Sequence, residues 1–237
     1  MKTIKLGLLL LTPVAALATE NRAVLETNYE VRAGYQNADF GNSYGLDARL
    51  TVPMLKLGGV SIVGGYDRFD GDDGVLDSDS YTVGAEAFLR DYEVGKLSAA
   101  FRYSETEFDR PDNSVNFDDS SSAKNYRAAG EYYFSNLTMA ASRTYVDLEN
   151  SDNAKIWGLS GFIYVKENTR LGIFGAHRDD KINYGGSMSH QPALLRNATE
   201  LSISYQDVGD SDKIYSVSLA YYFDKRPSLI DRDRKYR

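Results

Sequence analysis

Fixed charges at mid-strand positions are the residues best placed to do chemistry in this chain. The basic set is Arg32, Arg49, Arg102 and Arg127; the acidic set is Glu30, Asp47, Glu86, Glu131 and Glu200. All lie on the polar side of segments whose residues alternate in character. Facing water in an enclosed passage, charges gathered in separate patches of opposite sign set a transverse field, which orients polar solutes and biases ion entry. The competing arrangement is a salt-bridge network that plugs a narrow interior.

Bond-making chemistry finds little support. There are two histidines, His177 and His190, and no cysteine. That excludes disulfides, thiolate metal sites, cysteine nucleophiles and a multi-histidine metal centre within one chain. His177-Arg178-Asp179-Asp180 sits near a strand end, without the surrounding motif of a barrel hydrolase. His190 falls in a predicted turn. No nucleotide loop, nucleophile elbow or zinc-protease motif occurs. We therefore expect no catalytic residue, cofactor or metal. Acidic clusters at Asp70, Asp72, Asp73, Asp77 and Asp79, and at Glu107, Asp109, Asp112, Asp118 and Asp119, lack calcium-loop spacing and read first as solvated loops.

The elements that position these residues follow from the composition. The 237 residues carry 27 Lys+Arg against 34 Asp+Glu, a net charge of −7. An acidic chain is a poor general nucleic-acid binder. Mean hydropathy is −0.43, against a helical membrane protein but compatible with a membrane barrel, whose strands alternate apolar and polar residues. Residues 1–18 have a basic start at Lys2 and Lys5, a short apolar run and the small-x-small sequence Ala16-Leu17-Ala18. This is the pattern of a cleaved signal peptide, leaving Thr19 first.

From there the period is two. Tyr29, Val31, Ala33 and Tyr35 oppose Glu30, Arg32 and Gly34; Tyr81, Val83, Ala85, Ala87 and Leu89 oppose Thr82, Glu86 and Phe88; Tyr215, Val217, Leu219 and Tyr221 oppose Ser216, Ser218 and Tyr222. Twelve strands are predicted: 28–36, 43–52, 59–68, 80–90, 96–105, 124–134, 137–147, 154–164, 170–178, 181–188, 198–207 and 214–223. The tenth is weakest, and ten strands is the alternative count. In 137–147, Leu137 and Met139 point outward only if Arg143 does too, so a bulge or the opposite parity is expected there.

Tyrosines cluster on the apolar face beside the longer connections: Tyr35, Tyr44, Tyr66, Tyr81, Tyr103, Tyr126, Tyr205 and Tyr215, with Trp157. Tyr29, Phe134, Tyr221 and Phe223 mark the opposite edge. Such girdles lie where lipid meets headgroups. Longer connections then face outside (Asn37–Asn42, Phe69–Asp79, Thr106–Ala123, Asp147–Asn153, Val208–Lys213, with the abrupt Asp179-Asp180 as the exception in length) and shorter ones inside.

The signal peptide, the tyrosine-edged strands and the closing sequence Tyr215–Phe223 (YSVSLAYYF) resemble the small Gram-negative outer-membrane β-barrels, the porin-like superfamily. The resemblance implies an all-β, transmembrane, antiparallel up-and-down β-barrel over residues 19–223 in the bacterial outer membrane. It implies outer-membrane lipid, lipopolysaccharide and the barrel-assembly machinery as partners. Barrels of this kind commonly end on an aromatic residue; here Phe223 is followed by the basic residues 224–237, expected in the periplasm. The tail carries Lys225, Arg226, Arg232, Arg234, Lys235 and Arg237 against three aspartates. A solvated tail is one reading; contact with envelope anions or with the barrel's own mouth is the other. The function expected is passive diffusion of small hydrophilic or charged solutes through a lumen lined by the residues named at the outset. The alternative is a non-conducting structural or adhesion barrel acting through its acidic loops.

Overall fold

A computed structural model describes residues 24–72, 75–109, 120–149, 151–178, 181–209, 212–223 and 226–237. The expected signal peptide and Asp73, Asp112, Asp118, Asp119, Asp179 and Asp180 lie outside these residues.

The described residues form twelve antiparallel strands. They are β1 (Asn28–Ala38), β2 (Gly41–Pro53), β3 (Gly58–Gly71), β4 (Ser78–Asp91), β5 (Gly95–Phe108), β6 (Ser120–Phe134), β7 (Leu137–Leu148), β8 (Ala154–Lys166), β9 (Thr169–Arg178), β10 (Lys181–His190), β11 (Thr199–Gly209) and β12 (Asp212–Tyr222). Each pairs with its sequence neighbour, and β1 pairs with β12 from Glu30↔Tyr222 to Ala38↔Ile214, closing the barrel. Closure leaves no unpaired strand edge in lipid, which a membrane-spanning sheet requires.

The weak tenth strand is present, and its weakness has a local cause. Gly185 and Gly186 give β10 little side chain to pack. The Phe174 ring of β9 covers that space: a Cβ on Gly185 would collide with it and with the Tyr205 carbonyl. An aromatic neighbour can thus restore a glycine-weakened strand. His190, expected in a turn, ends β10 and bonds the Thr169 hydroxyl at 2.9 Å.

Strand β7 corrects another expectation. Its pairing runs without a shift through Ala128↔Arg143 and Arg143↔Trp157, so neither a bulge nor reversed parity occurs. Leu137, Met139, Ala141, Arg143 and Tyr145 share the outer face, and the Arg143 guanidinium lies 4.8 Å from the Trp157 ring centroid. Stacking on the indole supplies part of the compensation, which the sequence pattern did not reveal.

The strands also extend beyond their predicted ends on the long-loop side. Phe69–Gly71, Ser78, Thr106–Phe108 and Ser120–Ala123 are ladder rather than loop. Hydroxyl pairs support the extension, Ser80 with Thr106 at 2.7 Å and Thr82 with Ser104 at 2.9 Å. Arg68 gathers the acidic cluster, reaching Asp70 at 3.1 Å, Asp79 at 3.0 Å, Asp109 at 2.9 Å and Asp77 at 3.4 Å. These carboxylates are already partnered by a cation, and among the described residues no acidic group has an arrangement suited to a metal.

The girdle is built from cross-strand ring pairs. Tyr35–Tyr44, Tyr66–Tyr81 and Tyr205–Tyr215 each have centroids 5.3 Å apart, and Phe101–Tyr126 5.2 Å. Such pairs contribute about 0.5–1.5 kcal/mol beyond area burial. Tyr145 and Tyr184 extend the band. At the other edge Tyr29, Tyr132, Phe134, Tyr221 and Phe223 are exposed. This parity makes a direct labelling prediction, aided by the lack of native cysteine. Single cysteines at Val31, Ala48, Ala85, Ala99 or Val217 should resist a membrane-impermeant thiol reagent, whereas Arg32→Cys, Arg49→Cys, Arg102→Cys and Ser218→Cys should react. The reverse pattern would overturn the parity. The closed barrel should also migrate faster than its heat-denatured form in detergent gels, a shift that unheated and heated samples reveal side by side.

Candidate functional site

The alternation that sends Tyr29, Leu46 and Tyr126 outward sends charged side chains into the barrel. Two overlapping cavities fill its middle. One, of about 540 Å³, is lined by Glu30, Arg32, Asp47, Arg49, Arg102 and Arg127. The other, of about 470 Å³, adds Glu86, Ser98, Ser104, Asn125 and Thr144 and shares Arg102 and Arg127. A third, of about 240 Å³, continues toward the short-turn end past Glu86 and Glu131. Glycines widen the passage near Asp47 and Asp67: a Cβ on Gly45 or Gly65 would strike these carboxylates.

The charges do not separate into two walls. Register places Glu30 beside Arg49 and Arg32 beside Asp47. The acids nearer the short-turn end are engaged. Glu86 pairs with Lys96 at 2.6 Å, Glu30 with Arg32 at 3.0 Å, and Glu131 accepts from Tyr133 at 3.1 Å. Glu200 is buried, pairing with Arg170 at 3.4 Å and accepting from Tyr222 and Ser202. Arg102 and Arg127, by contrast, are exposed within the lumen and have no carboxylate within 4.0 Å among the described residues. The middle of the passage is consequently weighted toward positive charge.

The C-terminal segment enters the short-turn mouth. Pro227 and Ser228 start it; the Ser228 hydroxyl accepts from the Asp231 amide at 3.4 Å, capping the turn Leu229–Asp231, which continues as Arg232–Tyr236. The Ile230 amide donates to the Glu167 carbonyl at 3.1 Å, and Leu229 to Asn168 at 3.2 Å. Leu229 and Arg232 are completely buried. The Arg232 guanidinium lies 3.4 Å from the Tyr222 ring centroid, and Arg234 lies 5.0 Å from that of Tyr133. Asp233 accepts from Tyr164 at 2.7 Å and pairs with Arg170 at 2.5 Å.

The last residue reaches farthest. Arg237 meets Glu30 at 2.6 and 3.1 Å, Tyr222 at 2.9 Å, Asp233 at 3.1 Å and Glu200 at 3.4 Å. It also lines the cavity of about 540 Å³. Burial opposes its charge, but Glu30, Tyr222, Glu200 and Asp233 outweigh that and hold its pKa well above the ordinary arginine value. On the N-terminal side the Leu25 amide donates to the Lys235 carbonyl at 3.0 Å, and Val24 packs with Phe88. The tail is thus packed against its own barrel mouth, and the solvated reading does not hold for residues 226–237.

Sequence reasoning named the mid-strand charges but missed the partners that engage them, Lys96, Tyr133, Arg170, Tyr222 and Arg237, and the Asp233 and Tyr164 that hold Arg170 and Arg237 in place. For Tyr222 the signal was present, since period two puts it inside with Ser216 and Ser218. For Asp233 and Arg237 no pattern could have found the contacts, because the tail has no strand period.

A closed barrel of twelve antiparallel strands, with two aromatic edges and a charged interior, is an architecture of small bacterial outer-membrane β-barrels, with channels, porins and autotransporter translocator domains among them. The solved structures bear this out. The chain is similar to an outer membrane channel from Pseudomonas putida F1, with a TM-score of 0.64 at 11% identity, covering 88% of this chain and 100% of that one. It is similar to the KdgM porin solved in complex with disordered oligogalacturonate, with a TM-score of 0.61 at 10% identity, covering 82% and 99%. For the NanC porin the TM-score is 0.52 at 8% identity, covering 81% and 98%. No family model and no curated protein matches the chain.

Proposed function

We propose that this protein is a passive channel for small hydrophilic solutes, that its mid-lumen arginines favour anions, and that its C-terminal segment restricts the periplasmic mouth. The observation that carries the reading is the charged cavity inside a closed barrel, about 540 Å³ around Arg32, Arg49, Arg102 and Arg127. Side chains fill an eight-stranded interior, whereas wider barrels leave aqueous room. Passage needs no cofactor and no energy source: solutes diffuse, and fixed charge biases which ones enter. The KdgM porin, solved with an oligogalacturonate, supports a small polar solute as the class carried by this architecture.

The non-conducting barrel is the second reading, and the seated tail favours it specifically. Single-channel recording in planar bilayers separates the two, using the whole protein and a form ending at Phe223. Ion steps from either form support a channel. Silence from both correctly folded forms, together with no liposome swelling in sugars, would defeat it.

A further inference from the structure

We propose that the outer face formed by Arg143, Lys155 and Trp157 is a binding site for a phosphate group of lipopolysaccharide in the outer leaflet. This is independent of whether the lumen conducts.

Among the described residues, the outward cations Arg68, Lys124 and Lys213 each face a carboxylate, by ion pair or by position across the strand register. Arg68 is surrounded by Asp70, Asp77, Asp79 and Asp109. Lys124 stands opposite Asp147 in the β6–β7 register, and Lys213 opposite Asp207 in β11–β12. Arg143 differs. Its cross-strand neighbours are Ala128 and Trp157, and among the described residues it has no carboxylate within 4.0 Å. It also lies deeper. Tyr126 and Tyr145 oppose each other in the girdle, and Arg143 sits two residues farther from the long loops. At β-strand rise and barrel tilt that is about 5 Å toward the membrane centre.

A cation on that surface is unfavourable in hydrocarbon; the indole offsets part of that cost, and an anion meeting the guanidinium lowers it further. The surroundings suit a phosphate. Lys155 lies on the same face opposite Tyr145, diagonal to Arg143 at about 7–8 Å between Cα atoms. Trp157 is 54% exposed and supports the guanidinium from one side, leaving the fork of donors free on the other. His177 stands beyond Trp157 on the same face. Arginine supplies a two-point grip on phosphate oxygens, lysine a point charge, and the indole a surface for the sugar–acyl boundary. Lys155 and Trp157 lie within the first four residues of β8, at its long-loop end, which in barrels of this class faces the cell exterior, where the abundant phosphorylated lipid is lipopolysaccharide.

The test uses the folded full chain in phosphatidylcholine nanodiscs and measures bound lipid by native mass spectrometry. Bisphosphorylated lipid A, its dephosphorylated form and phosphatidylglycerol are the probes. The wild type should bind bisphosphorylated lipid A at least about tenfold more tightly than either of the others, a difference of about 1.4 kcal/mol. Arg143→Gln/Lys155→Gln should abolish that preference, and Arg143→Lys should retain part of it. The double variant removes charge from the lipid face, so its heat-shift in detergent should be unchanged and certifies folding. Equal lipid A binding by the double variant would overturn the site. Undiminished binding of dephosphorylated lipid A would overturn phosphate recognition. Equal binding of phosphatidylglycerol would overturn lipopolysaccharide as the occupant.

Discussion

A chain ending at Phe223 should pass several-fold more current than the full-length protein. The full chain places Arg237 against Glu30, Tyr222 and Glu200, with Arg232 and Arg234 stacked on Tyr222 and Tyr133. Removing these residues opens the short-turn mouth and exposes the two glutamates. Conductance should rise, and selectivity should move toward cations because Glu30 and Glu200 lose Arg237 and keep only Arg32 and Arg170 as cationic partners. Arg237→Ala should act in the same direction but less, since Asp233 and the backbone bonds of Ile230 still hold the segment. Removing one member of a buried ion pair typically costs about 3–5 kcal/mol. Here that loss falls on docking of the tail, with the closed strand ladder left intact. The heat-shift of the truncated form should therefore persist. Unchanged conductance, with the truncated barrel demonstrably folded, would show that the tail does not limit flow.

The second large effect concerns the lumen. Arg102→Gln/Arg127→Gln should shift the reversal potential in a salt gradient strongly toward cations. These two guanidinium groups face both main cavities and lack close acidic partners among the described residues. Their charge is available to passing ions rather than committed to structure, so neutralising them should change stability little. The shift should be greatest at low salt, because screening acts over about 10 Å at 0.1 M. Glu30→Gln is a different experiment from the one the bare sequence suggests. Glu30 holds Arg237, so its neutralisation should loosen the tail as well as change lumen charge. Its conductance should rise together with its change in selectivity, whereas the arginine double variant should alter selectivity alone. A reversal potential unmoved by the arginine double variant would remove these residues from the selectivity mechanism.

Much of the architecture was legible because a barrel wall is locally determined. Each strand meets lipid on one side and the lumen on the other, so period two records the inside and outside of every residue without knowledge of its neighbours. That is why Glu30, Arg32, Asp47, Arg49, Glu86, Arg102, Arg127, Glu131 and Glu200 could be placed on one face, and why the tyrosine edges marked the membrane boundaries. The same logic misjudged Arg143, since a cation on the outer face was read as a register fault. Trp157, which supports it, comes from the adjacent strand, and cross-strand pairing is set by register rather than by either sequence alone. It also undervalued β10, where Phe174 of the neighbouring strand fills the room above Gly185.

What only the tertiary structure decided is how the interior charges are shared. Period two fixes the face of a residue but not its partner across the barrel, and a segment outside the sheet has no such period to read. The basic tail was therefore visible as charge without a destination. Closing the barrel brings Glu30 of the first strand, Glu200 of β11 and Tyr222 of the last strand to one mouth, and residues 226–237 return to meet them. The separation in sequence between Glu30 and Arg237 spans almost the whole barrel, so their attraction can act only once the strands have closed.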